Sequence, residues 1–383
     1  ASDVYKRQLL CLLGLGLPIL ICEYAIGRGS NKSLGSAFKM LSPEGTRWHH
    51  FRWVAYAGNY LLMMFYTMVA GWMLNYFVYS LTGQLSGKNV EQIGGEFNNM
   101  LSTPSVMIFW TLVVVVISIL VCSLGLQKGV EKISKVMMIL LFALMIIMAV
   151  NSLLLDGSSE GLKFYLVPDF SKMKEQGIGN VVFAAMSHAF FTLGLGIGSM
   201  EIFGSYLSRD CKLTGESINV VILDTVVALT AGIIIIPACF AYGINPGAGP
   251  SLLFITLPNV FNQMPGGVIW EVLFFIFMAF AALSTVIAVY ENIIAMTMDL
   301  FNCSRKRASL VNLFVIAVLS MPAVLGYNVL SGVQPLGAGT TIMDLEDFIV
   351  SYKLAYLYRL VTSEYRIESL VLGIGSDCIF PLG

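Results

Sequence analysis

Apolar residues run along this chain in eight long stretches, near 9–26, 54–82, 105–123, 134–155, 178–208, 216–243, 268–298 and 309–328, with short polar segments between them. Crossing a hydrocarbon core of roughly 30 Å takes about 20 helical residues. Backbone groups in lipid must be satisfied within the protein, so the stretches predict helices. The period-2 alternation of a barrel strand is absent. The pattern predicts an all-α, polytopic membrane protein.

Composition agrees. Of 383 residues, 57% are hydrophobic and only 12% charged, where an ordinary soluble domain carries about 25% charged residues. The formal net charge of −1 argues against a nucleic-acid binder, which would carry a basic patch or stripe. Seven cysteines are scattered without a CxxC and read as packing residues. Three histidines (His49, His50 and His188) are too few and too dispersed for a typical zinc site.

Lysine and arginine set the orientation. The loops after the first, third, fifth and seventh stretches hold 13 basic residues, from Arg28 to Arg307, and the alternate loops hold 4. The richer side is cytoplasmic. Residue 1 then falls outside, with Lys6 and Arg7 at the outer end of the first span, and no signal peptide precedes it. A further helix is therefore expected upstream of residue 9, and the chain is expected to be a fragment. Residues 351–383 break an apolar start at Phe348-Ile349-Val350 with Lys353, Arg359, Glu364, Arg366 and Glu368. A frameshift or assembly join accounts for this; a cytosolic or interfacial tail is the alternative. The expected organisation is a non-matching leader at 1–8, one transmembrane domain at 9–350 and an aberrant tail at 351–383.

Candidate chemistry clusters within the spans. Phe190-Phe191-Thr192-Leu193-Gly194-Leu195-Gly196-Ile197-Gly198-Ser199 lies midway along the fifth stretch. Three alternate glycines weaken a helix by about 1 kcal/mol each relative to alanine. An unwound stretch at membrane depth offers carbonyls and half-helix ends to ions and substrate. Close helix packing through Gly194 and Gly198, a GxxxG pair, is the equal alternative. In the seventh stretch, Ala281, Ser284 and Thr285 could hold a small hard cation, although back-bonding to the i−4 carbonyl explains such hydroxyls more simply. Asp224, Glu23, Glu201 and Glu291 are ionisable groups within spans, which need a partner or a cavity. Snorkelling is expected to excuse Glu23 and Glu291 more readily than Asp224.

Together these features resemble the neurotransmitter:sodium symporter family, in its bacterial amino-acid carrier branch, with the LeuT-type inverted-repeat helix bundle. The resemblance rests on LGLPILICEYAIGR in the first span, GLQKGVEK at 125–132, VPDF at 167–170 and AFFTLGLGIGSMEIFGSYLS at 189–208. It also rests on FITLPNVFNQMPGG at 254–267, FAALST at 280–285 and DLEDF at 344–348. It implies that the spans are family helices 2 to 9, with helix 1 absent and helix 10 only begun, so that the bundle is incomplete.

The resemblance also implies roles. Tyr66 would bind a substrate carboxylate and form an outer lid with Phe191. Leu62, Ile197 and Val289 would line the side-chain pocket, with Gly194 widening it and Thr285 beside it. Thr192 and Asp224 would ligate one sodium ion; the Ala281 carbonyl, Ser284 and Thr285 would ligate another. Asp347 would be an outer gate acid, and Glu23 would brace the break formed by Gly194, Gly196 and Gly198. Asp224 stands where many relatives have asparagine. Ala228 stands where chloride-dependent relatives have serine, and His188 replaces the usual glutamine. The fixed charge of Asp224 implies chloride-independent transport.

The implied function is sodium-coupled symport of an amino acid, large and hydrophobic or aromatic, by alternating access across a bacterial inner membrane. Sodium is the coupling ion; no organic cofactor and no nucleic-acid partner are expected, and the lipid bilayer is the surroundings. A sodium-conducting channel and an inactive truncated fragment are the alternatives. No paired catalytic carboxylates, Ser–His arrangement or HExxH occur in the spans, so an enzyme is not expected.

Overall fold

The computed structural model describes residues 9–41, 48–125, 130–167, 178–242 and 250–354, and the described residues are helical with connecting turns and no strands. The leader 1–8, the motif residues at 126–129 and 168–170, Lys172, Lys174, Cys378 and nearly all of the expected tail lie outside them.

Among the described residues, seven helices are long and apolar enough to span a membrane. They are α1 (Leu9–Ser30), α3 (Phe51–Leu81), α5 (Pro104–Ser123), α6 (Lys132–Leu153), α10 (Leu213–Ala241), α12 (Gly267–Phe301) and α13 (Arg305–Leu325). Between them lie α2 (Leu34–Leu41), α4 (Val90–Ser102), α7 (Ser158–Leu166), α8 (Ile178–Thr192), α9 (Ser199–Tyr206) and α11 (Leu257–Gln263), and after them α14 (Ile342–Phe348). The fifth expected stretch, 178–208, is present as two pieces, α8 and α9, each too short to span alone.

Local chemistry sets several boundaries. Asn89 caps α4 through a reciprocal pair with Gln92, and Thr341 caps α14 in the same way with Asp344; each pair satisfies two otherwise orphaned N–H groups. Asn31 and Asn302, both at φ 51°, end α1 and α12 in left-handed geometry, which asparagine tolerates better than most residues. On the outer side, Asn262 donates to the carbonyls of Leu85 and Lys88 and so fastens α11 to the turn before α4.

The long helices α3 and α12 pack along each other at the centre, with α5 and α6 beside them. Their shared core includes Met63, Met68, Tyr76, Phe274, Phe275 and Ile294, all essentially inaccessible. Outward faces stay apolar and open: Leu120, Ile139, Ile146, Phe314 and Val318 are each well over half exposed or close to it. That distribution suits a hydrocarbon solvent and would be costly in water.

A very close approach joins α1 to α9. A Cβ on Gly27 would stand 1.9 Å from the Glu201 carbonyl oxygen, and one on Gly204 would stand 2.7 Å from the Tyr24 Cα. Two glycines thus let the backbones touch, as small residues do at helix crossings in membranes.

Candidate functional site

The site is built around the gap between α8 and α9. Gly194, Gly196 and Gly198 have φ of 62°, 87° and 77°, a left-handed region that glycine enters without the Cβ penalty other residues meet. The alternating glycines therefore break the helix, and of the two readings of the sequence the break is the one present. Gly198 is also closely packed, with a Cβ there standing 3.0 Å from the Leu34 side chain, while the backbone-to-backbone approach lies at Gly27 and Gly204. The Gly194 and Leu195 N–H groups turn back onto the Phe191 and Phe190 carbonyls, each at 3.0 Å.

Glu23 on α1 supports this break. Its Oε1 accepts the Gly196 N–H at 2.7 Å, and the residue is only 3% exposed. Snorkelling therefore does not account for it: the carboxylate is buried because it serves an N–H that the unwound segment leaves without a helical partner. Glu201, on α9, is also buried and lies within electrostatic reach of Glu23 and Asp299.

Thr192 and Asp224, 32 positions apart, meet at the end of α8: the threonine hydroxyl donates to Asp224 Oδ1 at 3.0 Å. Asp224 Oδ2 is buried with no hydrogen-bond partner among the described residues. A carboxylate oxygen left in that condition, beside a hydroxyl oxygen, is a donor set suited to a hard cation. His188, one turn before Thr192, is exposed rather than buried and within electrostatic reach of Asp224.

In α12 the Ser284 and Thr285 hydroxyls both donate to the Ala281 carbonyl, at 2.8 and 3.3 Å. The back-bonding expected of such residues is present, and the same contacts gather three oxygens at one place. Thr285 also hydrogen-bonds the Tyr66 hydroxyl, linking the mid-point of α3 to that group. Leu62, Ile197 and Val289, from α3, the break and α12, are buried in one apolar cluster. Phe191 remains 40% exposed. Asp347, on α14, accepts the Ser351 hydroxyl at 2.8 Å.

Sequence reasoning missed a second polar centre on the inner side. Arg305 grips Glu291 with both guanidinium arms at 2.7 Å, and Tyr206 at the end of α9 donates to the same carboxylate at 3.0 Å. Arg305 also donates to the Cys122 carbonyl at 3.0 Å. Glu291 is fully inaccessible, so it is paired, and snorkelling is again not the reason for its tolerance. The available signal was an arginine 14 residues on, across the turn that reverses the chain. Nearby, Asp299 Oδ2 accepts both the backbone N–H and the hydroxyl of Ser33, at 2.8 and 2.7 Å.

Comparison with known proteins places this geometry. The family model described as the Sodium:neurotransmitter symporter family matches residues 88–358. The chain is 36% identical over 337 residues to the uncharacterized sodium-dependent transporter YhdH of Bacillus subtilis (strain 168), covering 88% of this chain and 73% of that protein. It is 31% identical over 349 residues to an uncharacterized sodium-dependent transporter of Haemophilus influenzae, covering 88% and 75% respectively. Among solved structures it is similar to the crystal structure of MhsT in complex with L-phenylalanine, with a TM-score of 0.84 and 36% identity over 93% of this chain and 80% of that one. The expected all-α bundle of the LeuT type is thus the fold observed, and the chain is a multi-pass membrane protein with bacterial relatives. By family match and by identity along most of its length, it belongs to the sodium:neurotransmitter symporter family, a sodium-coupled transporter and not an enzyme.

Proposed function

We propose that the chain forms the 9–350 core of a symporter for a large hydrophobic or aromatic amino acid, driven by sodium and independent of chloride. The observation that carries this reading is the meeting of Thr192 and Asp224 at the helix break, the same break that carries Ile197 into the apolar cluster with Leu62 and Val289. Thr192 and Asp224 would hold one sodium ion; the Ala281 carbonyl, Ser284 and Thr285 would hold a second. Tyr66 would receive the substrate carboxylate and close with Phe191 as an outer lid, while Gly194 leaves room for a ring. Asp347 serves as the acid of an outer gate.

The coupling follows from shared ligands. A ligand shifts a conformational equilibrium only by its differential affinity for the two states. Thr192 belongs to the same broken segment as Ile197 and bonds the aspartate, so an ion held there would also shape the substrate site. The carboxylate of Asp224 supplies the negative charge that an anion would otherwise bring. The relative crystallised with L-phenylalanine makes that amino acid the first substrate to try.

The test is uptake of labelled L-phenylalanine into proteoliposomes carrying the 383-residue chain or a version extended upstream of residue 9. Sodium-dependent uptake that survives replacement of chloride by gluconate and is lost in Asp224→Ala supports the proposal. Sodium flux without amino-acid uptake would favour a channel. Uptake that stops on chloride removal would refute the charge argument.

A further inference from the structure

The break carries a second, internal attachment. The carbonyl of Ile197 accepts Asn59 Nδ2 at 2.7 Å and Asn292 Nδ2 at 3.2 Å. The two amides are themselves linked, Asn292 Nδ2 donating to Asn59 Oδ1 at 3.0 Å, and Asn59 Nδ2 also reaches the Ala55 carbonyl at 2.8 Å. Both asparagines are completely inaccessible. Buried amides in an apolar helix pair are costly unless their hydrogen bonds are made, and here both converge on one carbonyl. That carbonyl lies just outside α9, whose ladder starts one residue later with the Ile202 N–H on the Gly198 carbonyl at 3.2 Å.

The placement along α3 and α12 is matched. Asn59 stands three residues from Leu62, and Asn292 stands three residues from Val289. Residues three apart are neighbours on one helix face. Each amide therefore sits one turn from a wall of the apolar cluster, and the two together hold the backbone of the third wall, Ile197. With Glu23 accepting the Gly196 N–H, the Leu195–Gly196 and Ile197–Gly198 peptides on either side of Gly196-Ile197 are held from three helices.

We propose that Asn59 and Asn292 are positioning residues that set the side-chain selectivity of the substrate pocket by clamping the Ile197 carbonyl. This rests on the reading that Leu62, Ile197 and Val289 line that pocket. Neither asparagine touches the substrate in this account. Releasing the carbonyl lets the Ile197 side chain shift, which changes how a flat ring competes with a branched aliphatic group. It leaves the sodium ligands on α8, α10 and α12 in place.

The experiment compares L-phenylalanine and L-valine uptake in proteoliposomes for wild type, Asn292→Leu, Asn59→Leu and Asn292→Ser, the last retaining a donor. Asn292→Leu is the principal variant, because Asn59 still holds the carbonyl and the fold is retained. A detergent thermal midpoint close to wild type checks this, and a variant that fails it is set aside in favour of Asn292→Ser. Asn292→Leu removes the bonds to the Ile197 carbonyl and to Asn59 Oδ1; the loss at the carbonyl predicts a change of about fivefold in the ratio of the two KM values, with sodium half-saturation and maximal rate unchanged. Asn292→Ser should lie between Asn292→Leu and wild type. An unchanged ratio in folded variants, or a fall in maximal rate alone for both substrates, would overturn the clamp. No uptake of any amino acid by wild type would instead overturn the transport reading on which the clamp rests.

Discussion

Replacing Arg305 with methionine should destabilise the protein far more than replacing both Arg305 and Glu291. Two guanidinium arms at 2.7 Å hold a carboxylate that has no exposure of its own, whereas the arginine side chain is 24% exposed. The asymmetry decides the outcome. Arg305→Met leaves Glu291 charged and buried with only the Tyr206 hydroxyl at 3.0 Å, and breaking one side of a buried pair costs about 3–5 kcal/mol. Removing both charges leaves no orphaned carboxylate, and well-packed apolar replacement of a buried pair is close to neutral in other proteins, within about 1–4 kcal/mol on the stabilising side. The double variant Arg305→Met with Glu291→Met should therefore recover most of the loss. Thermal midpoints of purified protein in one detergent, for wild type, both single variants and the double variant, form a closed cycle. Glu291→Gln should fall between wild type and Arg305→Met, since its amide oxygen still accepts from Tyr206. If the double variant is as unstable as Arg305→Met, or the two single losses simply add, the argument from desolvation is wrong.

Other outcomes follow from equally local features. Gly27→Ala should sharply reduce folded protein in size-exclusion chromatography, because its Cβ meets the Glu201 carbonyl at 1.9 Å, while Gly29→Ala, with nothing within 4 Å, should not. Glu23→Leu should lower sodium-dependent uptake by removing a charged acceptor worth about 1.5–3 kcal/mol, and Glu23→Gln, which keeps an oxygen for the Gly196 N–H, should retain more; equal losses would count against the bracing role. Asp224→Asn combined with Ala228→Ser should make uptake depend on chloride, read by gluconate substitution. Asn89→Ala should cost about 1 kcal/mol through loss of the α4 cap, seen as a lower thermal midpoint with uptake at room temperature unaffected.

Hydropathy alone placed the spanning helices, because length and apolarity are what a bilayer demands of any helix. Observed limits such as Phe51–Leu81 and Pro104–Ser123 lie within a few residues of those expected. The break at Gly194 to Gly198 was visible as a weakness, but glycine serves both unwinding and close packing, and only the backbone angles separate the two. Of the candidate residues that meet in space, Ser284 and Thr285 with Ala281 were visible from their residue types, and the pairing of Thr192 with Asp224 was reached through motif resemblance. Composition and period say nothing about which polar side chains face one another. Asn59 and Asn292 were overlooked for that reason: a solitary asparagine in an apolar run carries no mark of a partner 233 positions away. Glu291 was misjudged because its depth in the bundle depends on the packing of α9, α12 and α13, which no single helix encodes.

The eight residues of α9 have unusually firm moorings for so short a rod. Its backbone lies against α1 at Gly27 and Gly204, and its last residue is tied to α12 through Glu291. Toward α8 it has three glycines in succession at alternate positions. A shaft interrupted in this way transmits little torsion from one half to the other. α9 and α1 are thus built as one lever, and any swing of that lever relative to α12 must first part Tyr206 from Glu291.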